Sequence, residues 1–192
     1  MSKRIALLSA VAFGALAITA TIVAPVSAQD KMKSEMSSEK TVMVGGAAMF
    51  PSKNIVQNAV NSKDHTTLVA AVKAAGLVDT LEGKGPFTVF APTNAAFGKL
   101  PTGTVDTLVK PENKATLTKI LTYHVVAGKL EASDLTDGKK LKTVQGEELT
   151  VKRSGDTVMI IDAKGGSSTV TIPNVNQSNG VIHVVDTVLM PS

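Results

Sequence analysis

Cysteine is absent from the chain. Thiol catalysis, thiolate metal centres, disulfide staples and a lipid tether on any cysteine of this sequence are therefore excluded. Tryptophan is absent too, and one Tyr and five Phe bring the aromatics to only 3%. A core must then be assembled from Val, Ile, Leu and Ala with a few Phe. No block of Lys or Arg occurs, which argues against a nucleic-acid partner. The sequence holds no HExxH, no G-x-S-x-G elbow and no glycine-rich phosphate loop. Gly83-Lys84-Gly85 lacks the strand-to-helix order that a phosphate site needs. The three histidines, His65, His124 and His183, form no pair at metal-ligand spacing, and two of them sit beside apolar runs, where structural hydrogen bonds are the simpler role. Asp134, Asp137, Glu147 and Glu148 are scattered, without a partner for acid–base work. These gaps point away from an enzyme and from a bound cofactor.

What is present suits one exported domain. The chain has 192 residues, 43% hydrophobic and 19% charged, enough for a single core,. Residues 1–28 read as a bacterial-type export signal. Lys3 and Arg4 form a basic start, Ile5 to Val23 is apolar or small, and Val26-Ser27-Ala28 is a small-residue cleavage site ahead of Gln29,. Ile5 to Ala24 is just long enough for an uncleaved anchor, but the cleavage site favours removal. No membrane span is then expected in the mature chain, which would lie in the periplasm or outside the cell. Loss of Lys3 and Arg4 lowers the formal charge from +4 to +2.

Residues 29–45 read as a flexible tether and 46–192 as the domain, with Thr41 to Met49 an arm lacking regular structure. Met32, Met36, Met43 and Met49 are soft thioethers of the kind that suits Cu(I), but solvated linker and edge-of-core packing are the favoured explanation,. The domain then divides. Its first half has helical periodicity: Asn54 to Asn61, Thr66 to Ala75, Leu77 to Leu81, Ala95 to Leu100, Thr104 to Val109 and Pro111 to Val126. Leu117, Ile120, Leu121 and His124 share one stripe of the last, and Asp64 or Thr66 is placed to cap the second. Phe87 to Ala91 is a strand within this half. The second half reads as strands at Leu141 to Val144, Glu148 to Arg153, Thr157 to Ile161, Thr169 to Pro173 and Val181 to Leu189, separated by glycine turns. The class is α+β, with an antiparallel sheet that Phe87 to Ala91 must join.

Two stretches stand out. One is FTVFAPTNAAFGKLP, Phe87 to Pro101. The other is NGVIHVVDTVLMP, Asn179 to Pro191. Tyr123-His124 lies between them. Strand alternation buries at least one face of the first, and Asn94 is placed to cap the helix that Phe97 anchors. In the second, His183 and Asp186 fall on opposite faces of an apolar strand, which calls for a hydrogen-bonded role for each.

These segments, in this order, resemble the fasciclin-like domain family over about Asn54 to Pro191. The resemblance implies a wedge in which an antiparallel β-sandwich has helices packed around one end. It also implies a structural signature in Phe87, Phe90, Pro92, Thr93, Asn94, Phe97, Asn179, Gly180, His183 and Asp186. It implies adhesion without catalysis, through a cell-surface or matrix protein or polysaccharide. Tyr123 and His124 become candidate partner contacts, because the stretch around this motif is implicated in integrin binding in animal members. The apolar residues beside them, Leu121, Val125 and Val126, favour burial instead. A second class, carriage of a hydrophobic small molecule such as a carotenoid, is implied by other members. A Val-, Ile-, Leu- and Met-lined gap between helices and sheet would suit it.

Overall fold

The computed structural model describes residues 41–192. The expected signal over 1–28 and residues 29–40 of the tether, with Met32 and Met36, lie outside the described residues.

The chain opens with a hairpin, not an unstructured arm. Strand β1 (Val42–Val44) pairs antiparallel with β2 (Ala47–Met49). Val44 and Met49 are buried, while Met43 between them is exposed. Three-residue strands of small residues carry too little alternation to be read from sequence, and it is packing on the domain that holds them. The predicted tether therefore ends earlier than residue 45.

Helix α1 (Ile55–Ala59) starts at a reciprocal cap: the Asn54 side chain accepts from Gln57 N–H and the Gln57 side chain accepts from Asn54 N–H,. A 3₁₀ turn (Lys63–His65) leads into α2 (Thr66–Ala75), which buries Leu68, Ala71, Val72 and Ala75. Gly76, at φ 71°, stops α2 in the left-handed conformation, with Leu77 N–H returning to the Val72 carbonyl,. Helix α3 (Val78–Glu82) follows, then strand β3 (Phe87–Pro92), helices α4 (Asn94–Gly98) and α5 (Thr104–Leu108), a 3₁₀ turn (Pro111–Asn113) and α6 (Lys114–Tyr123). The predicted long helix from Pro111 to Val126 ends short of that span. Val125 and Val126 are β-branched and lie in strand β4 (Val125–Ala127), paired with β3,.

The remaining strands are β5 (Lys140–Lys142), β6 (Glu148–Ser154), β7 (Thr157–Ile161), β8 (Ser167–Gln177) and β9 (Gly180–Val185). Together with β3 and β4 they form a seven-stranded sheet in the order β4-β3-β9-β8-β7-β6-β5. All its neighbours are antiparallel except β3 and β9, which run parallel from Phe87↔Gly180 to Pro92↔Val185. The sequence reading made the sheet wholly antiparallel. Parallel neighbours need a long crossover, and here most of the domain lies between them. The two ends of the sheet meet at a single bridge, Val126↔Thr143, reinforced by Val144 N–H to the Val125 carbonyl at 2.7 Å. The sheet thus curls back on itself.

Curling creates two cores. One face of β3 and β9 (Val89, Ala91, Ile182, Val184) packs under α1, α2 and α6. The other face (Phe90, Val185) looks into the curl, where Leu141, Leu149, Val151, Val158 and Ile160 close the far side. This α+β wedge matches the expected fold class, and β3 and β9 lie buried between both cores.

Candidate functional site

The two stretches singled out in the sequence lie side by side as β3 and β9, and polar side chains lock the join. Asn179 is 8% exposed. Its Oδ1 accepts from Ile55 N–H at 3.1 Å, and its Nδ2 donates to the carbonyls of Leu81 at 2.7 Å and Gly83 at 2.9 Å. One amide thus satisfies the start of α1 and the end of α3. The backbones are so close here that a Cβ on Gly180 would run into the Phe87 carbonyl, and one on Gly85 (φ 48°) into the Asn179 carbonyl,.

Phe90 stacks on His183 across the join, with ring centroids 5.7 Å apart and planes 26° apart. Both are fully buried. His183 Nδ1 accepts from Asn174 N–H at 3.3 Å, which makes Nε2 the protonated nitrogen, and it donates to the Leu130 carbonyl at 2.8 Å,. Burial holds this imidazole below its ordinary pKa,. Thr93 caps α4 by accepting from Ala96 N–H at 3.2 Å. Pro92 and Phe97 are buried. Asn94 does not cap its own helix, as its sequence position had suggested. Its Oδ1 accepts from Thr67 N–H at 3.0 Å and its Nδ2 donates to the Lys63 carbonyl at 2.8 Å, so it closes the open first turn of α2,. Asp64 and Thr66 leave that cap empty, since α2 has no side-chain cap from its own strand of sequence. Asp186 accepts from Thr169 N–H at 2.8 Å and pairs with Lys99 at 3.5 Å. Burial alone would raise its carboxyl, but Thr169, Thr187 and Lys99 together hold it below the usual value,.

Tyr123 and His124 face the two cores in turn. Tyr123 is 0% exposed and belongs to the curl interior. Its hydroxyl accepts from Ala163 N–H at 2.8 Å and donates to the Glu148 carbonyl at 3.4 Å. Burial, opposed by the Ala163 N–H, raises its pKa, and the charges of Asp162 and Glu147 add to the rise. His124 is 2% exposed. Its Nε2 accepts from Leu189 N–H at 2.9 Å and its Nδ1 donates to the Ile120 carbonyl at 2.9 Å. Burial lowers its pKa from 6.5 to about 4, so it is neutral at pH 7,. An arriving partner meets neither side chain, because each is sealed under apolar neighbours and spent on internal bonds. Burial thus argues against direct contact through either side chain: Tyr123 fastens α6 to Ala163 and Glu148 of the sheet, and His124 fastens it to Leu189.

The three histidines do not converge on a metal. Among the described residues no group of three or more His, Asp or Glu is placed to hold an ion. His65 instead lines an apolar cavity of about 50 Å³ between the β1–β2 hairpin, α1, α2 and the sheet. Its Nδ1 meets Ser62 Oγ at 2.9 Å, while its Nε2 is buried without a well-aligned hydrogen bond. Burial lowers its pKa.

The Fasciclin domain model matches residues 63–191. The chain belongs to the fasciclin family. This fasciclin domain is similar to protein sll1483 of Synechocystis sp., 48% identical over 155 residues that cover 81% of this chain and 83% of the relative. It is also similar to cell surface glycolipoprotein MPB83 of Mycobacterium bovis, 41% identical over 153 residues that cover 77% of this chain and 64% of MPB83. Among solved structures, it matches a FAS1 domain pair from the insect cell adhesion molecule fasciclin I with a TM-score of 0.65 at 18% identity. That match covers 80% of this chain and 58% of the insect one, and it speaks for the fold.

Several residues that hold the fasciclin domain together went unread in its sequence. Asn58 is fully buried on α1, bonded to both backbone groups of Phe50 and to Gln177. Thr88 donates to the Gly128 carbonyl at 2.6 Å and accepts from Leu130 N–H at 2.9 Å. Asp162 accepts from Lys164, Gly166 and Met190 N–H groups. The signal in each case was a polar residue at an apolar position of its periodic pattern, which demands a partner.

Proposed function

We propose that this fasciclin domain is an exported, non-catalytic adhesion module that engages a cell-surface or matrix protein or polysaccharide on its exterior. The observation that carries this reading is where the reactive groups go. All three histidines and the tyrosine are buried, and the polar signature residues of both segments are engaged in internal bonds that hold the β3–β9 join and the elements packed on it. Recognition is left to the outer surface. Likeness to a mycobacterial cell surface glycolipoprotein supports the same reading. Export rests on residues 1–28, read as a cleaved signal, and no helix among the described residues is long and apolar enough to cross a membrane. Fluorescently labelled protein incubated with its host's cell envelopes tests the reading. Saturable binding is the expected outcome, and binding indistinguishable from that of an unrelated domain of equal size and charge would refute it. N-terminal sequencing of protein from the host, expected to begin at Gln29, checks export.

Carriage of a hydrophobic small molecule has one observation in its favour, the cavity beside His65. Apart from Lys73, His65 and His124 its lining is hydrocarbon and thioether. Its volume of about 50 Å³ decides against it as the main reading, because drug-sized ligands occupy roughly 300 Å³ or more. A long apolar ligand would need the β1–β2 hairpin to lift. Host-purified protein that absorbs visible light would favour carriage.

A further inference from the structure

The join between β4 and β5 leaves a groove of about 440 Å³ on the surface. Past the single bridge at Val126↔Thr143 the two strands part, β4 staying on β3 and β5 on β6. The groove's lining includes Ala127, Leu130 and Leu141 together with Lys139, Lys140 and Lys142. Lys140 and Lys142 flank buried Leu141 and project to the same outer side, as strand alternation requires,. No carboxylate lines the groove. The acidic groups nearest in bonding are Glu148, paired with Lys140 at 3.3 Å, and Asp134, whose backbone carbonyl takes Lys139 Nζ at 2.7 Å. Lys142 makes no ion pair among the described residues.

We propose that this groove binds an acidic polysaccharide, with Lys139, Lys140 and Lys142 reading the carboxylates or sulfates of successive sugar rings and Leu130 and Ala127 meeting the C–H faces of the rings. The proposal rests on the adhesion reading above and names its partner. Charge complementarity selects the ligand: three lysines line the groove and no carboxylate does, with Lys140 and Lys142 on the same outer side of β5. The same count weighs against nucleic acid, which calls for a dense basic face, and the formal charge of the whole chain is only +4,. A protein partner would be expected to use aromatic or arginine anchors in a desolvated pocket, and the lining offers none,.

The test uses protein purified from its host and polygalacturonate, a plain uronate polymer, with dextran as the neutral control. Polygalacturonate is expected to bind and dextran not to bind. Raising salt from about 50 to about 500 mM is expected to weaken binding about tenfold, because the contacts are exposed and screened. The variant K139E/K140E/K142E is expected to lose about tenfold or more in affinity, whereas K84E/K152E/K164E, with the same change in charge elsewhere, stays within about twofold. Circular dichroism of both variants confirms folding, and K142E alone, which breaks no ion pair, serves if the triple variant unfolds. Three results would overturn the proposal: no binding of polygalacturonate, equal losses in the two triple variants, or equal binding of poly-glutamate and oligonucleotide. If K139E/K140E/K142E binds host envelopes as the unaltered protein does, the groove assignment falls while the adhesion reading stands. If the unaltered protein fails to bind envelopes, the adhesion reading falls by itself.

Discussion

The sheet has two joins of opposite character. Where β3 meets β9, six residue pairs run in register, Asn179 ties in two helices, and Phe90 stacks on His183 with no exposure to water. Where β4 meets β5, one bridge and one backbone hydrogen bond hold before the strands part into a solvent-filled groove. The first brings together strands distant in sequence, the second two strands that follow one another along the chain. The first uses buried apolar area and satisfied polar groups, and it carries the fold. The second carries little, and exposed Lys142, with no ion pair among the described residues, faces outward where a partner would arrive.

That contrast breaks first at Phe90. Phe90→Ala is expected to cost about 3–5 kcal/mol in urea denaturation, since the ring fills the curl interior and stacks on His183. A loss under about 1 kcal/mol would mean the parallel join is not the keystone described here.

Acid probes the same buried region next. His124 titrates near 4 in the fold against 6.5 for a free imidazole. The folded protein therefore binds fewer protons than the unfolded chain between those values, so its stability is full above about pH 6.5 and falls as the pH drops through about 4. The loss from His124 is about 3 kcal/mol. His65 and His183, lowered in the same direction, steepen it. A melting temperature that is flat from pH 7 to pH 4 would contradict the buried, neutral imidazoles. A His124→Asn variant is expected to be less stable at pH 7 and to show a shallower acid slope.

The open join should respond weakly. Thr143 is buried beside the bridge, and its hydroxyl donates to the Glu147 carbonyl at 2.7 Å. Thr143→Val is expected to cost about 1 kcal/mol, the usual net value of one hydrogen bond. Smallest of all, Lys142→Glu is expected to leave stability within about 0.5 kcal/mol, as for other unpaired surface positions, while changing polyuronate binding. If either change rivals Phe90→Ala, the two joins are not different in kind.

Much of the firm join was legible in the sequence. Phe87, Val89 and Ala91 alternate, Val181 to Val185 is apolar but for His183, and a His inside such a run with an Asp at its end implies internal partners. Their adjacency followed from the family resemblance and from the need of an isolated strand to find a sheet. Its direction did not, because parallel and antiparallel buried strands share the same apolar pattern. The β1–β2 hairpin was missed for want of length, and β4 was absorbed into α6 because Val125 and Val126 extend an apolar stripe as readily as they form a strand. Asn94 was seen as a cap but assigned to the nearest helix, whereas its target, α2, lies 27 residues earlier in the chain. The groove was invisible, since it arises from strands that diverge, and no local pattern encodes divergence.

The pairing of β3 with β9 also orders events in time. A ribosome releases Phe87–Pro92 long before Gly180–Val185, so the central strand of the domain waits without its neighbour until the intervening chain has been made. Non-local pairing of this kind delays completion of the native state. A polypeptide built this way remains a threadable, unlocked chain until β9 arrives and snaps shut only then.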